Sequence, residues 1–161
     1  MRTIVLVRHG KSSWDFNFTD RERPLKARGK NDAKLVVSQF RKQFKMPENI
    51  YSSPAKRALN TCEIFTKAFN LPDNSIIIEE SLYDFGGESV IDFIKNLPDS
   101  CSEIMIFGHN HAFTSISNIF GSIFIENLPT SGLVKINFEV NRWRDIKSGQ
   151  TELVLIPKEL K

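Results

Sequence analysis

A single-domain α/β fold, three layers deep with helices on both faces of a mostly parallel sheet, is what this sequence predicts. Three observations carry that reading. Thr3 to Val7 is a continuous β-rich apolar run, the pattern of a strand buried on both faces. Strand-like and helix-like stretches then alternate along the chain, the order a parallel sheet requires. Near the end the pattern shifts to strands without helices between them, which predicts antiparallel members at one edge. At 161 residues the chain has the length of one domain, 1–161, and no repeat, low-complexity tract or linker divides it.

After the first strand, residues 11–28 are polar and irregular, and Trp14, Phe16 and Phe18 are expected to pack a long loop there. The basic run from Arg21 to Lys30 is interleaved with Asp20 and Glu22, which predicts a solvated loop. A helix is expected from Gly29 to Phe44, with Ala33, Val36, Val37 and Phe40 on its apolar stripe. Asn49 to Tyr51 reads as a short strand running into Ser52-Ser53-Pro54, a serine cap with proline at the first helical position. The helix that follows, to Phe69, buries Ala58, Leu59, Cys62, Ile64 and Phe65.

A third strand is predicted over Ser75 to Ile78, then a helix over Ser89 to Leu97 ended by Pro98. Glu103 to Phe107 is the fourth strand and Asn110 to Phe120 the next helix. Leu133 to Val140 alternates like a strand with one wet face, and Glu152 to Ile156 is the last strand.

The net charge of +3 is scattered rather than blocked; it suits an anionic substrate but is too weak to argue for nucleic acid. Cys62 and Cys101 form neither a disulfide framework nor a metal-spaced pair, which predicts a reducing compartment. The apolar run Ile4 to Val7 is too short for a signal segment, and no stretch approaches a membrane span. A cytoplasmic protein is expected.

The chemistry is expected where the strands end. Arg8-His9 follows the first strand, Gly108-His109 follows the fourth, and Arg57 lies in the first turn of the helix after the second. In a parallel sheet all three positions share the carboxyl edge, where open α/β sheets bind ligands. Two arginines and two histidines at one place call for an anion, and the planar guanidinium fork matches phosphate. Donors at the helix beginning at Asn110, the Asn110 side chain, and Ser12 beside Lys11 and Ser13 are further candidate phosphate contacts. Gly10 and Gly108 permit close approach of the backbone to the ligand.

Nearby cations keep an imidazole neutral and nucleophilic, so His9 is the candidate nucleophile that takes the phosphoryl group. Arg8, Arg57 and His109 would stabilise the charge on the transferred oxygens. His109-x-His111 invites a metal reading, but two arginines at the same site repel a cation, so no metal or other cofactor is expected. His111 is read as a rim or helix-start residue.

The segment Val5-Leu6-Val7-Arg8-His9-Gly10-Lys11-Ser12 resembles the RHG signature of the histidine phosphatase, or phosphoglycerate mutase-like, superfamily. RHGKSSW, ERPLKARG, SSPAKRALNT, GHN and ENLPTSG, in that order, are similar to the small SixA-type phosphohistidine phosphatases over nearly the whole chain. The resemblance implies His9 as nucleophile, with Arg8, Arg57 and His109 as its phosphate pocket. Larger members carry asparagine seven residues after the first arginine, where this chain has Asp15, so that contact is not carried over. They also donate a proton from a glutamate in a region that reads Leu82-Tyr83-Asp84-Phe85-Gly86-Gly87-Glu88 here, leaving Asp84 and Glu88 as candidate acids.

A weak or absent acid favours phosphoramidates, whose imidazole leaving group departs more easily than an alkoxide. A phosphorylated protein, such as a histidine phosphotransfer domain, is the expected substrate. A small phosphate ester of the same family chemistry is the alternative, and a non-catalytic phosphate-binding module is the third reading.

Overall fold

The computed structural model describes residues 1–161 and contains one six-stranded sheet. The strands are β1 (Arg2–Arg8), β2 (Asn49–Ser52), β3 (Ile76–Ile78), β4 (Glu103–Gly108), β5 (Leu133–Phe138) and β6 (Gln150–Leu155). Their order is β3-β2-β4-β1-β5-β6; the first four run parallel, and β5 and β6 are antiparallel. The helices are α1 (Ala27–Arg41), α2 (Lys56–Ala68), α3 (Glu88–Lys95) and α4 (Ala112–Phe120). None is long and apolar enough to cross a membrane.

The two central strands are apolar through their middles, Ile4 to Val7 and Ile104 to Phe107, because each face feeds a different core. Ile4 and Leu6 of β1, with Ile104 and Ile106 of β4, join a cluster that takes in Val90 and Ile94 of α3 and Phe113 and Ile116 of α4. Val5, Val7, Met105 and Phe107 point the other way, into a cluster with Val36, Val37 and Phe40 of α1 and Cys62 and Phe65 of α2. The period-two alternation of a strand thus becomes two apolar layers, one on each face of the sheet.

Several element boundaries differ from the sequence expectation. The α2 helix starts at Lys56, with Ala55 in extended conformation before it, rather than at Pro54. The Ser53 hydroxyl accepts from Ala55 N at 3.2 Å and is also bonded to a histidine ring, so it closes a turn instead of capping the helix. The α4 helix starts at Ala112, not Asn110, and the Asn110 Oδ1 instead accepts from Thr114 N at 3.2 Å, an early N–H of that helix.

The start of α1 lies two residues earlier than expected, and its end at Arg41 gives way to a turn in which Phe44 N donates to Phe40 O. The expected wet face of β5 is covered. Lys135 and Asn137 are half-buried, and the Lys135 ammonium lies 3.4 Å from the Phe44 ring centroid while pairing with Glu152. β6 forms the edge on this side of the sheet and β3 the edge on the other.

Residues 9–26 form the largest irregular segment, and its neck is fastened. Ser13 N donates to Pro24 O and Lys26 N to Lys11 O, bringing the two arms together. Gly29, inside α1, makes that closeness possible: a Cβ there would stand 2.2 Å from Lys11 O. Contrary to expectation, the aromatic residues of this segment do not pack it from within; Phe16 is 93% exposed and Trp14 is exposed as well. Nor is the basic run wholly solvated, because Arg23 is buried.

Candidate active site

Strand register brings the site together. Arg8 pairs with Gly108 across β1 and β4, so His9 and His109 are the next residues off two adjacent strands. His9 N donates to Gly108 O at 3.0 Å, and the two imidazole centroids lie 5.4 Å apart. β2 lies on the other side of β4, and Ser53 N bonds Phe107 O at 2.9 Å. The turn after β2 then leads into α2, which carries Arg57 in its first turn. Arg8, His9, Arg57 and His109 therefore meet at the carboxyl edge of the sheet, where the sequence placed them.

His9 is buried, and its Nδ1 lies 2.7 Å from the carbonyl oxygen of Gly10. A carbonyl only accepts, so Nδ1 carries the proton and Nε2 keeps its lone pair. Burial pushes the His9 pKa down to about 3, with Arg57, Arg8 and Arg23 adding to the shift and the Gly10 bond opposing it. The same order holds for His109, lowered to about 3 first by burial, then by His9 and Arg57. Both rings are neutral at pH 7.

His109 is fixed from both sides. Its Nε2 lies 2.8 Å from Ser53 Oγ, and its Nδ1 lies 3.5 Å from an Arg57 terminal nitrogen. Tyr83 and Phe85 pack against the ring with centroids at 5.3 and 5.0 Å. Gly10 N donates to Thr61 Oγ1 at 2.9 Å, and Ser131 N donates to both Arg8 O and His9 O. The backbone that carries His9 is thus held by α2 and by the turn before β5.

Arg57 is 2% exposed. One terminal nitrogen donates to Asp20 O at 2.5 Å and the other to Asp20 Oδ2 at 3.1 Å. Arg8 donates to Leu128 O at 2.8 Å, and burial together with the Arg57 charge lowers its pKa. Arg8 Nε, Arg57 Nε and Ser131 Oγ are buried without any hydrogen-bond partner. Buried polar groups in this condition are costly, and an anion is the ligand that relieves buried arginine N–H groups.

The sequence reading missed Asp20, Arg23, Tyr83 and Ser53. Asp20 accepts from Arg57, from Arg23 at 3.1 Å and from Tyr83 Oη at 2.5 Å, which together hold its pKa down to about 2 against the opposing effect of burial. Arg23 donates to Ser12 Oγ at 2.6 Å and Ser13 O at 2.7 Å, beneath the Trp14 ring at 3.4 Å. A signal for Arg23 lay in the ERPLKARG block and one for Ser53 in the SSPAKRALNT block; Asp20 and Tyr83 stand in no such block, and their partners are distant in sequence.

The remaining candidates fall as follows. Ser12 is buried and bonded to Arg23. Asn110 is bonded through Nδ2 to Asn127 and through Oδ1 to Thr114. Asp84 does not stand free as an acid: its two oxygens accept from the backbone N–H groups of Gly86, Gly87, Ser89 and Val90, closing the start of α3. Glu88 is exposed at the first position of α3, and His111 is exposed just before α4. Asp15 is exposed and bonded to Asn17 N within its own turn. No three His, Cys, Asp or Glu side chains gather in a way that could hold a metal ion.

The two neutral histidines make an acid dependence of stability predictable. Each has a folded-state pKa near 3 against about 6.5 when unfolded. Above pH 6.5 neither state is protonated and the stability is fully present. Between 6.5 and 3 the unfolded chain binds protons that the folded chain refuses, so stability falls as pH falls, by at most about 1.4 kcal/mol per pH unit for each histidine. The Asp20 contribution is lost only lower, on the way to about 2. Urea midpoints measured at pH 7, 6 and 5 should drop, and His109→Asn should flatten the drop; an equal slope in that variant would refute the assignment.

Comparison with known proteins follows the same lines. The histidine phosphatase superfamily (branch 1) matches over residues 4–89. An uncharacterized protein of Mycobacterium tuberculosis is 26% identical over 158 residues, covering 92% of this chain and 96% of its own. The structure of the protein histidine phosphatase SixA complexed with tungstate superposes with a TM-score of 0.81 at 21% identity, covering 99% of each chain. The proposed phosphohistidine phosphatase SixA of Agrobacterium tumefaciens gives 0.79 at 22% identity, covering 97% of this chain and 98% of its own.

Proposed function

The chain belongs to the histidine phosphatase superfamily, and from that premise we propose that it is a metal-independent phosphatase that carries the phosphoryl group on His9 and acts on phosphohistidine in proteins such as histidine phosphotransfer domains. One observation carries the reading: His9 Nδ1 is spent on the Gly10 carbonyl, leaving a neutral Nε2 beside arginines with unpartnered buried N–H groups. Nε2 attacks phosphorus, the bond to the leaving group breaks, and its electron pair departs with that group. Water then attacks phosphorus, the P–Nε2 bond breaks, and the pair returns to Nε2 while the water proton leaves with phosphate or solvent.

Arg8 and Arg57 supply the fixed positive charge for the phosphoryl oxygens. His109 adds a donor without net proton uptake. With Arg57, a donor only, facing Nδ1, His109 keeps its proton on Nε2 and donates it to Ser53 Oγ. Once phosphate takes the Arg57 N–H groups, the Ser53 hydroxyl can donate to Nε2 instead, and Nδ1 then carries the proton toward the pocket.

The preference for a P–N bond is supported by the engagement of Asp84 as a helix cap and by the state of Asp20, the carboxyl nearest Arg57, which its donors hold as the carboxylate rather than as an acid able to protonate an alkoxide. The test is turnover of a phosphohistidine peptide beside p-nitrophenyl phosphate with EDTA present. Higher kcat/KM for the peptide is expected. Preference for the ester would move the substrate to small phosphate esters, and absence of turnover on both from folded protein would make the chain a binding module.

A further inference from the structure

Asp20 closes the anion site in the free protein, and the catalytic steps above give it no task. It holds both terminal nitrogens of Arg57, one through its carbonyl and one through its carboxylate. A phosphoryl group entering beside His9 needs those same donors. Of the two partners, the Asp20 carboxylate is the one able to yield: its side chain is 47% exposed, whereas Arg57 is buried at the base of α2.

Once displaced, the carboxylate keeps two tethers. Arg23 donates to Oδ1 at 3.1 Å and Tyr83 Oη to Oδ2 at 2.5 Å, and the Tyr83 ring lies against His109. Asp20 therefore stays at the mouth. His9 is buried beneath, so in-line attack from Nε2 drives the leaving group outward, past Tyr83 and Asp20.

The geometry points to Asp20 as the residue that selects the leaving group, by accepting a hydrogen bond from the N–H of a protonated imidazole as that imidazole departs. The inference rests on His9 as phosphoryl acceptor and on the P–N substrate class. A carboxylate beside a phosphoryl dianion is repulsive, and a neutral alcohol leaving group gives nothing in return. An imidazolium offers a charge-assisted N–H donor and offsets the repulsion. The step balances without proton transfer. The Nε2 of His9 bonds to phosphorus, the P–N bond of the substrate breaks, and the electron pair goes to the nitrogen of an imidazole that keeps its other N–H on Asp20 and leaves neutral.

The experiment compares wild type with Asp20→Asn and Asp20→Ala on the phosphohistidine peptide and on p-nitrophenyl phosphate, with tungstate affinity measured in parallel. In both variants kcat/KM for the peptide should fall and that for the ester should rise, lowering their ratio by about tenfold, and tungstate should bind several-fold tighter. A ratio that falls less than threefold, because both substrates move together or neither moves, overturns the inference. If wild type fails to turn over the peptide, the substrate class falls by itself. Tungstate affinity then decides whether Asp20 occupies the anion site, and unchanged affinity overturns that too.

Discussion

Replacing His9 with alanine is expected to lower kcat by about 10⁴-fold or more and to abolish an acid-labile phosphoryl label on quenched enzyme. Loss of a covalent nucleophile removes the whole two-step route, and what survives is the rate that binding and fixed charge give to direct attack by water. The fold should tolerate the change. The backbone at this position is held by the His9 N bond to Gly108 O, the Gly10 N bond to Thr61 and the Ser131 N bonds to Arg8 O and His9 O, none of which needs the imidazole. Removing a buried neutral histidine also removes one acid-sensitive group, so the variant should lose less stability than wild type between pH 6.5 and 5. Turnover within tenfold of wild type, or a label that persists in the alanine variant, would mean that another group takes the phosphoryl.

The second large effect belongs to Arg57. Arg57→Ala should cut kcat/KM by about 10³-fold, in the range lost when a transition-state charge donor is removed. Arg57→Lys should still lose about 10²-fold, because an ammonium keeps the charge but cannot present two parallel N–H groups to two oxygens. The site explains the expected loss with lysine: the guanidinium is buried, and its two terminal nitrogens reach two oxygens of Asp20, the backbone carbonyl and the carboxylate, as a single fork. Tungstate affinity measured on both variants separates ground-state binding from chemistry. A lysine variant with wild-type kcat/KM would show that charge alone suffices and that the planar fork has no part in the reaction.

The legibility of this protein divides along physical lines. Arg8, His9 and His109 could be read because they interrupt runs of buried apolar residues at the end of strands, and parallel strands end on one edge. Arg57 was readable because a helix follows its strand at short distance. Asp20 and Tyr83 lie in irregular chain, where no periodicity marks which side chain turns inward, and the Asp20–Arg57 pair spans 37 residues. The misplaced start of α2 has a similar origin. Serine before proline favours a cap locally, but a histidine 56 residues away engages the Ser53 hydroxyl, and that bond exists only after the sheet has formed. Asp84 shows the converse: its place in a resembling block suggested an acid, whereas its neighbours use it to close a helix end.

The wiring of the central strand also bears on how the molecule is made. β1 is synthesised first, yet its two neighbours in the sheet are β4 and β5, and Arg8 N donates to Gly132 O. A chain emerging from the ribosome exposes this apolar strand and His9 early, and β1 gains its first sheet partner only with β4, a hundred residues on in register. Pairings so far apart in sequence form slowly. β1 must therefore wait, unpaired and prone to association with other nascent chains, until β4 has appeared, and its second edge waits longer for β5. The same delay leaves the His9 N–H without its Gly108 carbonyl until the sheet is nearly whole.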